Sequence, residues 1–177
     1  MVSIQELHNK SNSGDEIVPG VFLGNEDASQ DPNFIKRNRI TAVINCTPTV
    51  PNKFSKHGVQ YIRLPVDDSL KVGDINKMTA FLPYIVETLR ELILKKHHVL
   101  VHCHAGMQRS AAVVSAYLIQ YHKMSPMQSI RFIISKRPIA FYNGKSINFE
   151  RSLSTFHKHR SKFKASKIQD KKPSYNF

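Results

Sequence analysis

Apolar residues fall along this chain in short runs separated by turn residues and by helical stripes. Ile17-Val18 and Val21-Phe22-Leu23 flank Pro19-Gly20, a turn pair that predicts two short strands. Asp31-Pro32 predicts a short helix through Arg37, with Asp as cap and Pro at the first helical position. Thr41-Ala42-Val43-Ile44-Asn45 reads as a buried strand closed by Thr47-Pro48, and Val59 to Leu64 as another that stops at Pro65. Ile75, Met78, Leu82, Ile85, Val86, Leu89 and Ile93 then recur at steps of mostly three or four, the stripe of a long helix. Asp74 is placed to cap it, and Pro83 inside it predicts a kink. Val99-Leu100-Val101 is apolar on both faces, which predicts a central strand. Three helices complete the pattern: Ser110 to Tyr121, Ser125-Pro126 to Ser135, and one starting at Ser146 with Ile147, Phe149, Leu153 and Phe156 inward. Strands alternating with helices predict an α/β fold around one central sheet.

The 177 residues suit one domain, and 41% hydrophobic content is ample for a core. Two cysteines exclude a disulfide framework and a four-cysteine zinc site, and they point to a reducing compartment. No apolar run approaches the roughly 20 residues needed to span a bilayer. Met1 to Lys10 contains no apolar core of the kind that secretory leaders carry. Residues 1–14 are polar and end in Ser11-Asn12-Ser13-Gly14, a flexible or short helical lead-in. The net charge of +13 is concentrated toward the C-terminus, where Lys158, Arg160, Lys162, Lys164, Lys167, Lys171 and Lys172 face only Asp170. Residues 158–177 therefore read as a solvated basic tail. Docking to nucleic acid, anionic lipid or an acidic protein is the alternative.

The chemistry concentrates between the predicted central strand and the helix after it, in His102-Cys103-His104-Ala105-Gly106-Met107-Gln108-Arg109-Ser110. A loop running into a helix N-terminus directs backbone N–H groups at one point, and the helix dipole adds positive potential there. Such a cradle holds a tetrahedral oxyanion. Gly106 permits close backbone approach, and Arg109 supplies a bidentate fork for two phosphate oxygens. The same field favours thiolate over thiol at Cys103, so one site binds a phosphate ester and aims a nucleophile at its phosphorus. His102 and His104 flank the cysteine, but two His and one Cys without a second cluster do not make a zinc site. No metal or cofactor is implied. Ser110 is placed to cap the helix. A leaving alkoxide or phenoxide needs a proton, and the attacking water of a second step needs a base, which one carboxylate can supply in turn. Asp67-Asp68, in the loop after the strand that ends at Pro65, and Asp74 are the candidates.

His102-Cys103, five intervening residues and Arg109-Ser110 resemble the signature of the cysteine-dependent protein tyrosine phosphatases, in their small dual-specificity branch. Further resemblance lies in Val21-Phe22-Leu23-Gly24, Tyr61-Ile62-Arg63-Leu64-Pro65-Val66-Asp67-Asp68, Lys136-Arg137-Pro138 and Asn148-Phe149, over residues 15–157. It implies a mixed sheet of about five strands flanked by helices, with the Cys loop at the C-terminal end of a central strand. It also implies hydrolysis of phosphotyrosine and phosphoserine or phosphothreonine on proteins, through a thiophosphate on Cys103. In that family the second Asp of the pair, here Asp68, is the general acid. The hydroxyl equivalent to Ser110 stabilises the departing thiolate, and the equivalent of His102 orients the loop. Residues 104–108 would wrap the phosphate, with His104 on the rim. A lysine-bearing loop, typical of phosphoinositide members, and the Thr-His-Gly-type core of RNA 5′-triphosphatase members are both absent. These non-protein substrates and a phosphate-binding module without turnover are the alternatives. Several relatives trap an oxidised nucleophile with a second cysteine, and Cys46, after the strand Thr41 to Asn45, is the candidate here. The expected location is cytoplasmic or nuclear.

Overall fold

Five short strands form one sheet: β1 Gly14–Val18, β2 Val21–Gly24, β3 Ile40–Asn45, β4 Gln60–Arg63 and β5 His98–His102. They lie in the order β1-β2-β5-β3-β4, so β5 is central, as its uninterrupted apolar run predicts. β1 pairs antiparallel with β2 across the Pro19-Gly20 turn, where Gly20 takes φ +80°, while β2, β5, β3 and β4 run parallel. The structure, a computed structural model, describes residues 12–163.

Alternation along the strands divides the core in two. Val21, Leu23, Ala42, Ile44, Val99 and Val101 pack with one layer of helices: α3 Val72–Leu94, α4 Arg109–Tyr121, α5 Pro126–Lys136 and α6 Glu150–Phe163. Phe22, Val43 and Leu100 point the other way, onto Ala28 of α1 Glu26–Gln30 and Phe34 and Ile35 of α2 Pro32–Arg37. Each fully buried Leu, Ile or Phe stabilises by about 1.5–3 kcal/mol. α2 has the predicted Asp31 cap with Pro32 at its start, and α5 opens with a reciprocal Ser125/Gln128 capping box.

The structure departs from the sequence reading mainly at helix boundaries. α1 was not expected. Asn25 caps it by accepting from Ala28 N, and Glu26 and Asp27 fill its first turn. α3 starts at Val72, so Asp74 sits inside its first turn and does not cap it. α4 has Gln108 at its N-cap, so Ser110 does not cap it either. The last helix starts at Glu150, not Ser146, because residues 146–148 are held by Gln108 in a non-helical bend. That helix runs to Phe163, past the boundary expected at 157. Residues 1–11 and 164–177, most of the expected lead-in and tail, lie outside the described residues. α3 is continuous through Pro83. No helix among the described residues is long and apolar enough to cross a membrane.

Candidate active site

The C-terminal ends of the parallel strands gather at one edge of the sheet, the usual place for a ligand in such folds. There β5 ends at His102 and α4 begins at Arg109, and residues 103–108 form the loop between. Three of its carbonyls are held by donors outside it. His104 O accepts from Glu26 N at 2.9 Å, Gly106 O from Arg137 Nε at 3.0 Å and Met107 O from Phe141 N at 2.9 Å. In a trans peptide the N–H points opposite to the C=O, so the N–H groups of Ala105, Met107 and Gln108 turn to the inside of the loop. Gln108 makes no side-chain cap, leaving the first N–H groups of α4 directed at the same place. Gly106 closes the turn at φ +65°. A Cβ there would lie 2.6 Å from the carbonyl carbon and oxygen of Gly24 and 2.8 Å from Asn25 N.

Cys103 is 1% exposed beneath this cradle, and the Ser110 hydroxyl donates to its Sγ at 3.2 Å. Arg109 is braced by donation from one terminal nitrogen to Val66 O at 3.2 Å. Its buried Nε has no hydrogen-bond partner and lies 3.9 Å from Asp68 Oδ2. The other oxygen of Asp68 accepts from Asn148 Nδ2 at 2.8 Å. Together these groups offer a nucleophilic sulfur, a donor-lined oxyanion cradle with an unsaturated guanidinium, and a carboxyl group at its lip.

His102 is fully buried, and neither ring nitrogen reaches a hydrogen-bond partner. Burial is the largest force on its proton affinity. The positive charge of Arg63, His104 and Arg109 adds to it, against a favourable contact with the Cys103 backbone, and the result is a pKa of about 4. The ring is therefore neutral at physiological pH. Cys46 follows β3 beside it, its N–H donating to His102 O at 2.8 Å. Burial first, and then the charge of Cys103, push the Cys46 thiol well up. Among the described residues no three His, Cys, Asp or Glu side chains gather as a metal site.

The sequence profile of the dual specificity phosphatase catalytic domain matches residues 21–159, most of the chain and all of this site. The chain belongs to that family. Human dual specificity protein phosphatase 21 is 34% identical over 142 residues, covering 78% of this chain and 72% of the relative. Rat dual specificity protein phosphatase 18 is 35% identical over 124 residues, covering 70% of this chain and 58% of the relative. The crystal structure of human DUSP28 superposes with a TM-score of 0.73 at 24% identity, covering 85% of this chain and 96% of that one, and so shares the fold. The chain is thus a phosphatase of the protein-tyrosine and dual-specificity class, with the mixed five-stranded sheet of that fold.

In this phosphatase the structure brings Cys103, Arg109, Ser110, His102 and Asp68 to one sheet edge. Asp67 is exposed. Asp74 is instead engaged by the Ser69 hydroxyl, whose hydrogen bond is the main cause of its lowered pKa, with Lys77 and Lys71 adding to it against burial. His104 is exposed and its Nδ1 lies 2.8 Å from Glu26 Oε2. Ala105 is half-buried, whereas the side chains of Met107 and Gln108 are buried, so the loop presents its backbone to a ligand. The sequence reading gave no role to Asn148, Glu26 or Arg137. Arg137-Pro138 and Asn148-Phe149 stand there only as family resemblance, and nothing singles out Glu26.

Proposed function

We propose that this chain hydrolyses phosphotyrosine and phosphoserine or phosphothreonine on proteins through a phosphocysteine intermediate. The observation that carries the reading is the loop whose three carbonyls are pulled outward around Cys103, with Arg109 and Asp68 at its lip. The Cys103 thiolate attacks phosphorus while three phosphate oxygens take the inward N–H groups and the Arg109 fork. As the P–O bond breaks, Asp68 gives its proton to the leaving oxygen. Asp68, now a carboxylate, then takes a proton from water as that water attacks the thiophosphate. The P–S bond breaks, phosphate leaves, and the thiolate that reforms takes the Ser110 hydrogen bond. The neutral His102 ring is buried at the strand end beside the nucleophile, and the residue's carbonyl, held by Cys46 N, ties that end to the neighbouring strand.

Phosphorylated proteins are the partners this chemistry names. A cytoplasmic or nuclear location fits the two thiols of the sequence, and the basic residues beyond 157 fit a docking role toward acidic protein or nucleic acid. Steady-state kcat/KM on phosphotyrosine peptide, phosphothreonine peptide, phosphoinositide and 5′-triphosphorylated RNA tests the reading, with Cys103→Ser as the blank. Turnover of both peptides well above the other two supports it. A preference for the lipid or the RNA moves the same chemistry to a non-protein substrate, and binding without turnover leaves a phosphate-binding module.

A further inference from the structure

We propose that Gln108 and Asn148 act as a positioning pair that decides which oxygen of Asp68 carries the catalytic proton, an inference that rests on Asp68 being the general acid. Gln108 occupies the N-cap of α4, where a polar side chain would ordinarily bond the helix's own first N–H groups. Here it is 1% exposed and turned away. Its Nε2 donates to Ser146 O at 2.9 Å and its Oε1 accepts from Asn148 N at 3.0 Å. Both partners are backbone groups of fixed polarity, so the orientation of this amide is unambiguous. It clamps residues 146–148 to the phosphate loop and thereby sets where Asn148 begins.

The Asn148 side chain is oriented in turn. Its Oδ1 accepts from the Ser146 hydroxyl at 3.3 Å, which leaves Nδ2 to donate to Asp68 Oδ1 at 2.8 Å. In a carboxylic acid the carbonyl oxygen is the better acceptor, so the oxygen that accepts this bond is favoured as the carbonyl and disfavoured as the site of the proton. The proton is therefore directed to Oδ2, the oxygen 3.9 Å from Arg109 Nε and so on the side where Arg109 would grip a phosphoryl group. Gln108 immediately precedes Arg109 in the chain. One short covalent and hydrogen-bonded path thus links the residue that grips the phosphate to the residue that protonates the leaving group, and registers the two against each other. Asn148 touches neither the phosphate nor the leaving oxygen in this scheme. It acts through Asp68.

A positioning role has a signature that a structural role lacks. General-acid assistance matters most when the leaving oxygen is basic, so a misplaced acid costs little on para-nitrophenyl phosphate and much on phenyl phosphate. In the full chain, Asn148→Ala is expected to lower kcat/KM about ten-fold on phenyl phosphate and at most about two-fold on para-nitrophenyl phosphate. Vanadate inhibition should be unchanged, since the cradle itself is intact. Asn148→Leu keeps about the size and removes the donor without adding a charge, so it should discriminate in the same direction and carries the test if the alanine variant fails to fold. Asp68→Asn, measured alongside, sets the full scale of the effect. Equal losses on the two esters in the Asn148 variants, or no loss, overturn the pairing while Asp68→Asn still discriminates. If Asp68→Asn itself fails to discriminate, the acid assignment falls and takes the pairing with it.

Discussion

His102 makes the stability of this protein depend on pH in a calculable way. Its folded pKa is about 4 against an ordinary 6.5, with burial the main cause and the positive charge of Arg63, His104 and Arg109 reinforcing it. Between those two values the unfolded chain binds a proton at this position and the folded chain does not. The unfolded state is then the more protonated one, so stability rises with pH through the window and is lost as pH falls from about 6.5 toward 4. At about 1.4 kcal/mol per pH unit the full effect is about 3 kcal/mol, of which about 2 kcal/mol has gone by pH 5. That is a large share of the 5–15 kcal/mol typical of a domain. The assay is urea unfolding at pH 7.5 and pH 5.0 on wild type and His102→Gln, which cannot titrate. Other groups contribute to the wild-type change, so the difference between the two proteins isolates His102. The variant should start less stable and lose about 2 kcal/mol less than wild type on acidification. An equal loss in both would show that the ring is not held neutral, and the account of its burial would be wrong.

Asp68→Asn should lower turnover of phosphopeptide about 10²–10⁴-fold and Asp67→Asn only slightly. The reverse ranking moves the acid by one residue. Gly106→Ala places a Cβ 2.6 Å from the Gly24 carbonyl at φ +65°, against backbone that cannot swing aside. It should cost about 1–3 kcal/mol in urea unfolding and about 10²-fold in kcat/KM, and a variant as stable and active as wild type would refute the close packing of loop on β2. Cys46 and Cys103 follow residues paired in register on adjacent strands, Asn45 and His102, and neighbouring strand ends suit a Cα separation of about 4.4–6.8 Å that a disulfide needs. After mild peroxide, sulfenic Cys103 should condense with the Cys46 thiol with loss of water. Wild type should then recover with thiol reductant while Cys46→Ser drifts to irreversible sulfinic acid; equal recovery, or no linked peptide by mass spectrometry, refutes this.

What could be read from the sequence was what is local. β5 was legible because Val99-Leu100-Val101 is apolar on both faces, and the loop because Cys103, Gly106, Arg109 and Ser110 are close neighbours in the chain. Asp68 lies 35 positions before the nucleophile, and residue chemistry alone did not separate it from Asp67 or Asp74; family resemblance did, and the geometry now sets Asp68 beside Arg109. Ser110 and Asp74 were both misread as caps for one reason. A polar residue near a predicted helix start looks like a cap, but the helices begin at Arg109 and Val72, and each side chain is engaged elsewhere, by Cys103 and by Ser69. The bend at 146–148 was illegible because its cause, Gln108, is 40 residues from Asn148 along the chain.

Two unfavourable features of the fold end on the same loop, and that coincidence bears on their purpose. Arg137 is 1% exposed. One terminal nitrogen donates to Asn12 O at 2.8 Å and to Asp15 Oδ2 at 2.6 Å, while its Nε holds the Gly106 carbonyl. Burying such an ion pair is rarely a net gain over well-packed apolar residues, because desolvation offsets the attraction. Phe141, Tyr142 and Asn143 have φ of 52°, 49° and 56°, a left-handed run that side chains disfavour, and Phe141 N holds the Met107 carbonyl. Stability alone would favour neither arrangement. Each turns a carbonyl of residues 103–108 outward, and each carbonyl turned outward turns the next N–H inward. The buried guanidinium and the left-handed turn are therefore the structural cost of presenting backbone N–H groups, already oriented, to an anion that no local interaction of the loop could hold in place.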